Sequence, residues 1–266
     1  MSGAVRRSGA PAYGSRDRRG AARTPLYDRI GRSYAATREE DPRIAAAVHA
    51  ALGDARTVLN VGAGAGSYEP AGRDVLAVEP SAVMRAQRRP GAAPCVDARA
   101  EALPYGGGAF DAAMAVFSDQ HWEDRAAGLR ELRRVARRRV VLVQWDQSCV
   151  DAFWLTRDYL PALGDGPPLR EAMAPLGAAE LRPLPVPRDC RDGFLLAWWA
   201  RPEALLDPAV RANVSVFALL EPGGEAAFAE RLGRDLADGT WDARNPGLRE
   251  REELDVGLRL VVAGSR

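Results

Sequence analysis

The chain has 266 residues, of which 47% are hydrophobic, and its formal net charge is +1. This length suits one α/β domain with an elaboration, and the balanced charge gives no overall field that would attract nucleic acid. All 37 basic residues are arginine, which excludes lysine-based mechanisms, and the three cysteines lack the C-x-x-C spacing of a zinc or redox site. No apolar run reaches transmembrane length and the N-terminus lacks a signal-peptide core, so we expect a cytoplasmic protein without a metal or a membrane partner.

Residues 1–24 are rich in arginine, glycine and alanine and contain almost no large aliphatic side chains. Such a segment buries too little surface to offset the entropy lost on ordering, so we predict a disordered arm without an assigned function. A helix is predicted to begin at Asp41-Pro42, because aspartate favours the N-cap and proline the first turn, and to end before Gly53. Its apolar side chains form one stripe, which indicates packing on a sheet.

A glycine-rich turn follows the first predicted strand. Residues 58–61 read as a buried parallel strand that runs into Gly62-Ala63-Gly64-Ala65-Gly66. Glycine is needed where the backbone is left-handed or where a ligand approaches it closely. The next strand ends in Glu79, whose carboxylate can accept hydrogen bonds from both hydroxyls of a ribose, so the two features together predict a nucleoside cofactor. A dinucleotide fingerprint would require glycine at position 67, where this chain has Ser67.

The connection over residues 67–73 is short, and Pro70 should end a helix there after its first turn.

Two further strands end in polar residues. Residues 110–117 are mostly apolar and are predicted to form the central strand, followed by Ser118-Asp119-Gln120-His121-Trp122. A basic amphipathic helix is predicted over residues 123–137. A further strand over residues 140–146 ends in Trp145-Asp146.

The tips of these strands are where ligands of open α/β sheets collect. His121 can remove a proton from an acceptor at neutral pH, which makes it the candidate catalytic residue. The alternative is that His121 hydrogen-bonds the backbone and shapes the pocket without moving a proton. Trp122, Trp145 and Asp146 are candidate contacts to the acceptor substrate, because they follow the same strand ends.

The signal changes after residue 151. An inserted helix is predicted around residues 153–161, a strand over 180–186, helices over 192–206, 208–220 and 225–238, and a last, antiparallel strand over 254–263. Trp154 and Tyr159 are candidates for an aromatic acceptor pocket, although aromatic residues in such helices are usually core. Trp198 and Trp199 are adjacent and cannot share one helix face, so at least one of them should be core.

Four motifs in this order resemble those of the class I S-adenosylmethionine (SAM) methyltransferases, in particular the small-molecule enzymes of methyltransferase type 11. The glycines form a G-x-G-x-G pattern, and Glu79-Pro80-Ser81-Ala82-Val83-Met84 resembles the second motif. Residues 100–105 resemble the A-E-x-L-P-F segment, and residues 109–113 resemble the S-F-D-x-V strand entry. Residues 27–34 resemble the Y-D-x-x-A-x-x-Y lead-in, so the resemblance covers about residues 27–150.

This resemblance implies a Rossmann-like, seven-stranded mixed sheet with helices on both faces and a helical acceptor-binding elaboration. It divides the chain into the arm, a SAM-binding core with N-terminal lid helices over residues 25–150, and a C-terminal part over residues 151–266. That last part belongs to the same domain and carries the substrate-binding insertion and the closing strand.

The resemblance also implies the cofactor and its contacts. The cofactor is SAM, and the product is S-adenosyl-L-homocysteine. Tyr34 and Arg38 would contact the methionine carboxylate of the cofactor. Asn60 stands where the family usually carries an acid, so support for the cofactor's ammonium group should be weaker. The full set of implied contacts is Tyr34, Arg38, Asn60, Gly62, Ala63, Gly64, Gly66, Glu79, Pro80, Met84, Ala100, Glu101, Phe117 and Ser118.

The function implied is methyl transfer to an oxygen, nitrogen or carbon of a small-molecule metabolite, in specialised metabolism, by a monomer or homodimer. A protein of this fold that binds SAM without methylating, such as a cyclase or a binding module, is one alternative. An RNA or protein methyltransferase is another, but the strand tip Phe117-Ser118-Asp119-Gln120 lacks the N-P-P-Y motif of base-amine enzymes.

Overall fold

The computed structural model describes residue 28, residues 38–164 and residues 166–264. The predicted arm and Tyr34 lie outside the described residues. The described strands are β1 (Thr57–Val61), β2 (Asp74–Val78), β3 (Cys95–Val96), β4 (Phe110–Val116), β5 (Ala136–Trp145), β6 (Ala179–Pro183), β7 (Val186–Pro187), β8 (Glu253–Leu254) and β9 (Leu258–Gly264). The described helices are α1 (Pro42–Ala51), α2 (Ala82–Ala86), α3 (Arg125–Val135), α4 (Leu169–Ala172), α5 (Pro208–Arg211), α6 (Gly224–Ala237) and α7 (Thr240–Arg244).

Seven of the described strands form one mixed sheet in the order β3-β2-β1-β4-β5-β9-β6, and β7 pairs with β8 in a second, small sheet. Strands β1 to β5 are parallel, whereas β9 runs antiparallel to both β5 and β6. The predicted fold class and the antiparallel last strand are therefore confirmed. The strand order reverses between β1 and β4, and a crevice opens at such a point outside the carboxyl ends of parallel strands.

Alternate residues of the central strands face two separate hydrophobic clusters. Val58 of β1 packs in the cluster that contains α1, together with side chains from the C-terminal elaboration. Leu59, its neighbour in the chain, packs in the cluster that contains Leu129 and Leu132 of α3. Because side chains alternate across a strand, both faces of the sheet are covered by helices. The carboxyl ends of the strands are therefore the part of the sheet at which a ligand could bind.

The two predicted helices of the core are confirmed, and the first has the predicted aspartate cap. The Asp41 carboxylate accepts a hydrogen bond from the backbone N–H of Arg43 at 2.9 Å, and Gly53 follows the helix with a φ of +59°. Asp124 caps α3 by accepting from the N–H of Ala127 at 2.9 Å. Local side-chain chemistry fixed both helix starts.

Several predicted elements are wrong in the structure. The connection over residues 67–73 forms turns and no helix, because Tyr68 takes a left-handed conformation with a φ of +64°. The predicted helix over 192–206 is two separate 3-10 turns, Leu195–Trp198 and Pro202–Leu206, since a proline cannot donate within a helix. The predicted helix over 208–220 reduces to α5 and a 3-10 turn, and that over 153–161 to a single π turn. The single strand predicted over 180–186 is divided in the structure between β6 and β7, which belong to different sheets. The helix predicted over 225–238 is confirmed as α6.

None of the helices in the described part of the chain combines the length and the apolar character needed to cross a bilayer.

Candidate active site

The glycine-rich loop after β1 lies against the ends of β2 and β4. Gly62, Gly64 and Gly66 all have left-handed backbones, with φ of +68°, +52° and +93°. The N–H groups of Gly62 and Ala63 both donate to the carbonyl of the last residue of β2, at 2.8 and 3.0 Å. A Cβ atom on Gly62 would lie 2.6 Å from the Cβ of Ser118, which follows β4. The loop therefore sits in the crevice where the strand order reverses, and only glycine fits its first position.

Glu79 lies directly beside this loop at the end of β2. Its Oε2 accepts from the N–H of Gly64 at 2.9 Å, and its Oε1 accepts from the N–H of Ser81 at 2.8 Å. The residue is only 7% exposed, and its burial raises the pKa of the carboxyl group. A carboxylate offers about four lone-pair sites, so two backbone bonds leave acceptor capacity for ribose hydroxyls.

The residues after Glu79 complete this side of the crevice. Pro80 is half-buried, and Ser81 caps α2 through a hydrogen bond from the N–H of Met84 at 3.2 Å. Met84 is buried, and its Cε would lie 3.3 Å from a Cβ on Gly64. Met84 therefore lies directly beside the glycine loop, and its role as a cofactor contact stays a prediction.

A second carboxylate lies beside Asn60, and sequence reasoning missed it. The Asn60 Nδ2 donates to Glu69 Oε1 at 3.3 Å, and the same oxygen forms an ion pair with Arg88 Nη2 at 2.7 Å. Arg88 also donates to the carbonyl of Gly64 at 3.3 Å. The side chains of Glu69 and Arg88 are both nearly buried. An acid therefore stands next to Asn60, but its charge is shared with an arginine.

Ala100 and Glu101 lie between the crevice and α3. Ala100 is buried, and Glu101 Oε1 accepts from the N–H of Asp124 at 3.1 Å. The Trp122 ring occupies the space above Gly128, where a Cβ would come within 2.3 Å of its Cε3. The Trp122 Nε1 lies 3.5 Å from the position of a Cβ on Gly62. Trp122 therefore borders the glycine loop itself, beside the predicted cofactor.

A buried polar cluster joins the start of the described core to the C-terminal elaboration. Arg38 forms a two-point ion pair with Asp192, through Nε to Oδ1 and through Nη2 to Oδ2, the latter at 3.1 Å. The Tyr68 hydroxyl donates to Asp192 Oδ2 at 2.7 Å, and burial raises the pKa of this phenol. Phe117 has a φ of +53°, and its ring stacks on Phe194 at 4.6 Å and lies 5.8 Å from the Arg38 guanidinium. Asp192 had no sequence signal, and the structure gives Arg38 a partner within the protein.

His121 ends a hydrogen-bonded network that starts at α3. Asp119 is fully buried and accepts from Arg125 Nε at 2.7 Å and from Gln144 Nε2 at 2.9 Å. Gln144 Nε2 also donates to Gln120 Oε1 at 2.8 Å, and Gln120 Nε2 lies 3.1 Å from His121 Nε2. Burial of the imidazole ring lowers the pKa of His121 to about 4, and the positive charge of Arg38 contributes a smaller part of this shift. His121 is therefore neutral at pH 7.

Trp145 and Asp146 are engaged in contacts within the protein at the end of β5. Trp145 Nε1 donates to the carbonyl of Val256 at 3.2 Å. Asp146 Oδ1 accepts from the N–H groups of Ser148 and Leu169, at 3.1 and 3.2 Å. These contacts order the turn that follows β5. A role of either residue in acceptor binding stays a prediction.

Trp154 and Tyr159 belong to the aromatic core of the elaboration. Trp154 is fully buried, donates from Nε1 to the carbonyl of Trp199 at 2.8 Å and meets Trp241 edge to face at 5.4 Å. Tyr159 donates from its hydroxyl to Asp235 Oδ2 at 2.7 Å. These contacts favour the core alternative over an acceptor pocket. Trp199 is also fully buried, as expected for one of the adjacent tryptophans.

Comparisons with known proteins agree with this arrangement. The protein family described as Methyltransferase domain matches residues 59–143. A putative methyltransferase from an antibiotic biosynthesis pathway of Anabaena variabilis is 30% identical over 85% of this chain and 98% of its own, with a TM-score of 0.77. The [4+2]-cyclase SpnF aligns at 17% identity over 91% of this chain and 94% of its own, with a TM-score of 0.50, which is a likeness of fold. No curated protein sequence matches the chain.

The mixed sheet with its antiparallel β9, the glycine loop and the acid after β2 define a class I methyltransferase fold. The left-handed glycines, of which Gly62 leaves no room for a Cβ, and the acceptor capacity of Glu79 fit the cofactor of that class. With the Anabaena relative, these features show that the chain belongs to the family of SAM-dependent methyltransferases, and its cofactor is SAM.

Proposed function

We propose that this protein transfers the methyl group of SAM to an oxygen, nitrogen or carbon atom of a small-molecule metabolite. The observation that supports this proposal most directly is the convergence of three strand ends. The glycine loop after β1, Glu79 after β2 and the segment from Ser118 to His121 after β4 meet at one edge of the sheet, where the strand order reverses.

When bound, SAM supplies a methyl group on a positively charged sulfur, which a nucleophile displaces in line. Glu79 would accept hydrogen bonds from the ribose hydroxyls, and the glycine loop would admit the methionyl end. Holding the acceptor in line with the methyl group can lower a barrier by about 7–11 kcal/mol without a base. We therefore propose that the protein accelerates the transfer mainly by aligning the acceptor with the methyl group, and that His121 lies beside these reacting groups.

The C-terminal elaboration is proposed to bind the acceptor. It contributes Asp192 and Phe194, which contact Arg38 and Phe117 at the open edge of the sheet. A pocket closed by this part would therefore lie next to the cofactor. The Anabaena relative is described as a putative methyltransferase from antibiotic biosynthesis, which supports an acceptor from specialised metabolism.

Calorimetric titration with SAM, and separately with NAD, tests the cofactor assignment. We expect SAM to bind and NAD not to bind. Glu79→Ala should weaken SAM binding at least tenfold, about 1.4 kcal/mol, because the ribose loses its acceptor. Glu180→Ala is the matched control, since Glu180 is an exposed carboxylate on β6 that forms an ion pair with Arg182, two residues along the same strand. An unchanged dissociation constant for Glu79→Ala would contradict the ribose assignment.

Methylation itself is tested by a screen of small-molecule acceptors with release of S-adenosyl-L-homocysteine as the readout. An acceptor that supports release, with a mass gain of one methyl group, is the expected result. SAM binding without turnover on any acceptor, together with a chemical change of an acceptor that leaves SAM intact, would instead establish the non-methylating alternative.

A further inference from the structure

The tip of β5 fixes the orientation of the Gln144 amide. The backbone N–H of Trp145 donates to Gln144 Oε1 at 2.6 Å, so this atom is the acceptor. The nitrogen of the same amide then faces two acceptors, Asp119 Oδ1 at 2.9 Å and Gln120 Oε1 at 2.8 Å. Asp119 is paired with Arg125, and a carboxylate in that state can only accept hydrogen bonds. Both ends of the Gln144 amide therefore require the same orientation.

Gln120 passes this orientation on to His121. Because its Oε1 accepts from Gln144, its Nε2 must be the donor, and this nitrogen lies 2.9 Å from the carbonyl oxygen of Phe117. A carbonyl oxygen has no proton, so it fixes the Gln120 amide a second time. The same Nε2 lies 3.1 Å from His121 Nε2. His121 Nε2 must therefore be the acceptor in this contact and carry no hydrogen.

The remaining proton of the neutral imidazole follows from this. A neutral histidine carries one N–H, so with Nε2 as an acceptor the proton is on Nδ1. Protonation of both nitrogens would place an N–H of His121 against the N–H of Gln120. The positive charge of Arg38 also opposes an imidazolium ion here. Hydrogen bonding and charge thus select the same single state.

We propose that Gln120 and Gln144 are positioning residues that hold His121 as its neutral Nδ1–H tautomer, with the Nε2 lone pair engaged and not available to remove a proton from the acceptor. The part of this inference that concerns the acceptor rests on the proposed methyl transfer; the tautomer does not. In the transfer, an electron pair of the acceptor, a lone pair of oxygen or nitrogen or a π pair of carbon, forms the bond to the methyl carbon, the carbon–sulfur bond breaks, and its electron pair stays on sulfur. The proton of the acceptor atom then passes to water.

Long-range proton–nitrogen correlation spectra of the full chain, labelled with ¹⁵N-histidine, test the tautomer. The chain has only two histidines, so His49→Asn assigns both sets of signals. At neutral pH we expect a pyridine-type Nε2 and a pyrrole-type Nδ1 for His121. An Nε2–H tautomer, a mixture of the two tautomers or an imidazolium at this pH would overturn the proposal.

Two variants test the part played by Gln120. Gln120→Glu keeps the shape but replaces the donor with an acceptor, so His121 should change to an Nε2–H or imidazolium state. Gln87→Glu is the matched control, because Gln87 also donates to a nearby backbone carbonyl, that of Val83 at 3.1 Å, and should leave the His121 signals unchanged. Unchanged signals in Gln120→Glu would show that the tautomer has another cause.

The role of Gln144 is tested by Gln144→Leu, which should allow the Gln120 amide to turn and give a mixture of tautomers. A single Nδ1–H state in this variant would show that Gln144 does not determine the tautomer of His121. None of these spectra requires an acceptor or SAM. Failure of the proposed methyl transfer would therefore appear in the turnover assay and not here, and failure of the tautomer would leave the turnover result unaffected.

Discussion

The ion pair between Arg38 and Asp192 is expected to contribute strongly to stability, since both of its side chains are shielded from water. The Asp192 side chain is 2% exposed and that of Arg38 is 10% exposed. Asp192→Ala removes the carboxylate that faces the Arg38 guanidinium and the Tyr68 hydroxyl together. Breaking a buried pair in this way costs about 3–5 kcal/mol, because a charge stays buried without this counter-charge. Tyr68→Phe should cost less, about 1.5–3 kcal/mol, since it removes one hydrogen bond to a charged group.

Asp189→Ala is the matched control, three positions earlier in the chain. Asp189 pairs with Arg43, but the two side chains are 74% and 48% exposed. An exposed pair contributes less than about 1 kcal/mol, so this variant should unfold nearly as the parent does. Urea unfolding followed by tryptophan fluorescence measures both, because Trp154, Trp199 and Trp241 are buried and report loss of the core. Equal and small losses for Asp192→Ala and Asp189→Ala would refute the reasoning.

Two further predictions concern the crevice. Gly62→Ala should cost about 2–5 kcal/mol in stability and weaken SAM binding, because it combines left-handed strain with a Cβ 2.6 Å from that of Ser118. Gly72→Ala, with a φ of +77° and no atom within 4 Å of the new Cβ, should cost only the strain, about 1–2 kcal/mol, and equal effects on unfolding and on the SAM dissociation constant would contradict this. The pKa of His121 falls from 6.5 to about 4, so the unfolded chain binds the proton first as pH decreases. The free energy of unfolding of the parent minus that of His121→Asn should therefore be nearly constant above about pH 6.5 and decrease by up to about 3 kcal/mol as the pH falls towards 4. Parallel pH profiles of the two proteins in urea unfolding would refute this.

The parts of the fold that the sequence predicted correctly depend on local chemistry. The turn of left-handed glycines after β1 and the cap of α1 each involve residues a few positions apart. Asp192 pairs with an arginine 154 positions away, and no spacing rule connects the two. Tyr68 has the left-handed backbone that is normally read from glycine, so the missing helix after the loop had no sequence signal. Gln144 was not singled out from the sequence, and its hydrogen-bond partners on the neighbouring strand end required the structure.

The C-terminal elaboration shows why helices were overpredicted there. Its helical pattern comes from leucine, alanine and tryptophan, which pack equally well in short turns around a shared core. Prolines at positions 202 and 208 divide the segment, and each one begins a new short element. Periodicity alone cannot separate a long helix from such a series of turns. Trp154, a candidate for the acceptor pocket, meets Trp241 edge to face in the core of these turns, which favours the core alternative.

The departure at Asn60 has a different consequence in the structure than in the sequence. From the sequence, an amide in place of an acid should weaken support for the cofactor's ammonium group. In the structure, the Glu69 carboxylate lies 3.3 Å from the Asn60 amide, so negative charge is present beside the glycine loop. Arg88 pairs with that carboxylate and also binds the carbonyl of Gly64, which offsets the charge and ties the loop to α2 and the residues after it. The Asn60 amide therefore holds the Glu69 side chain beside the glycine loop, and the net negative charge there is smaller than an unpaired acid would give.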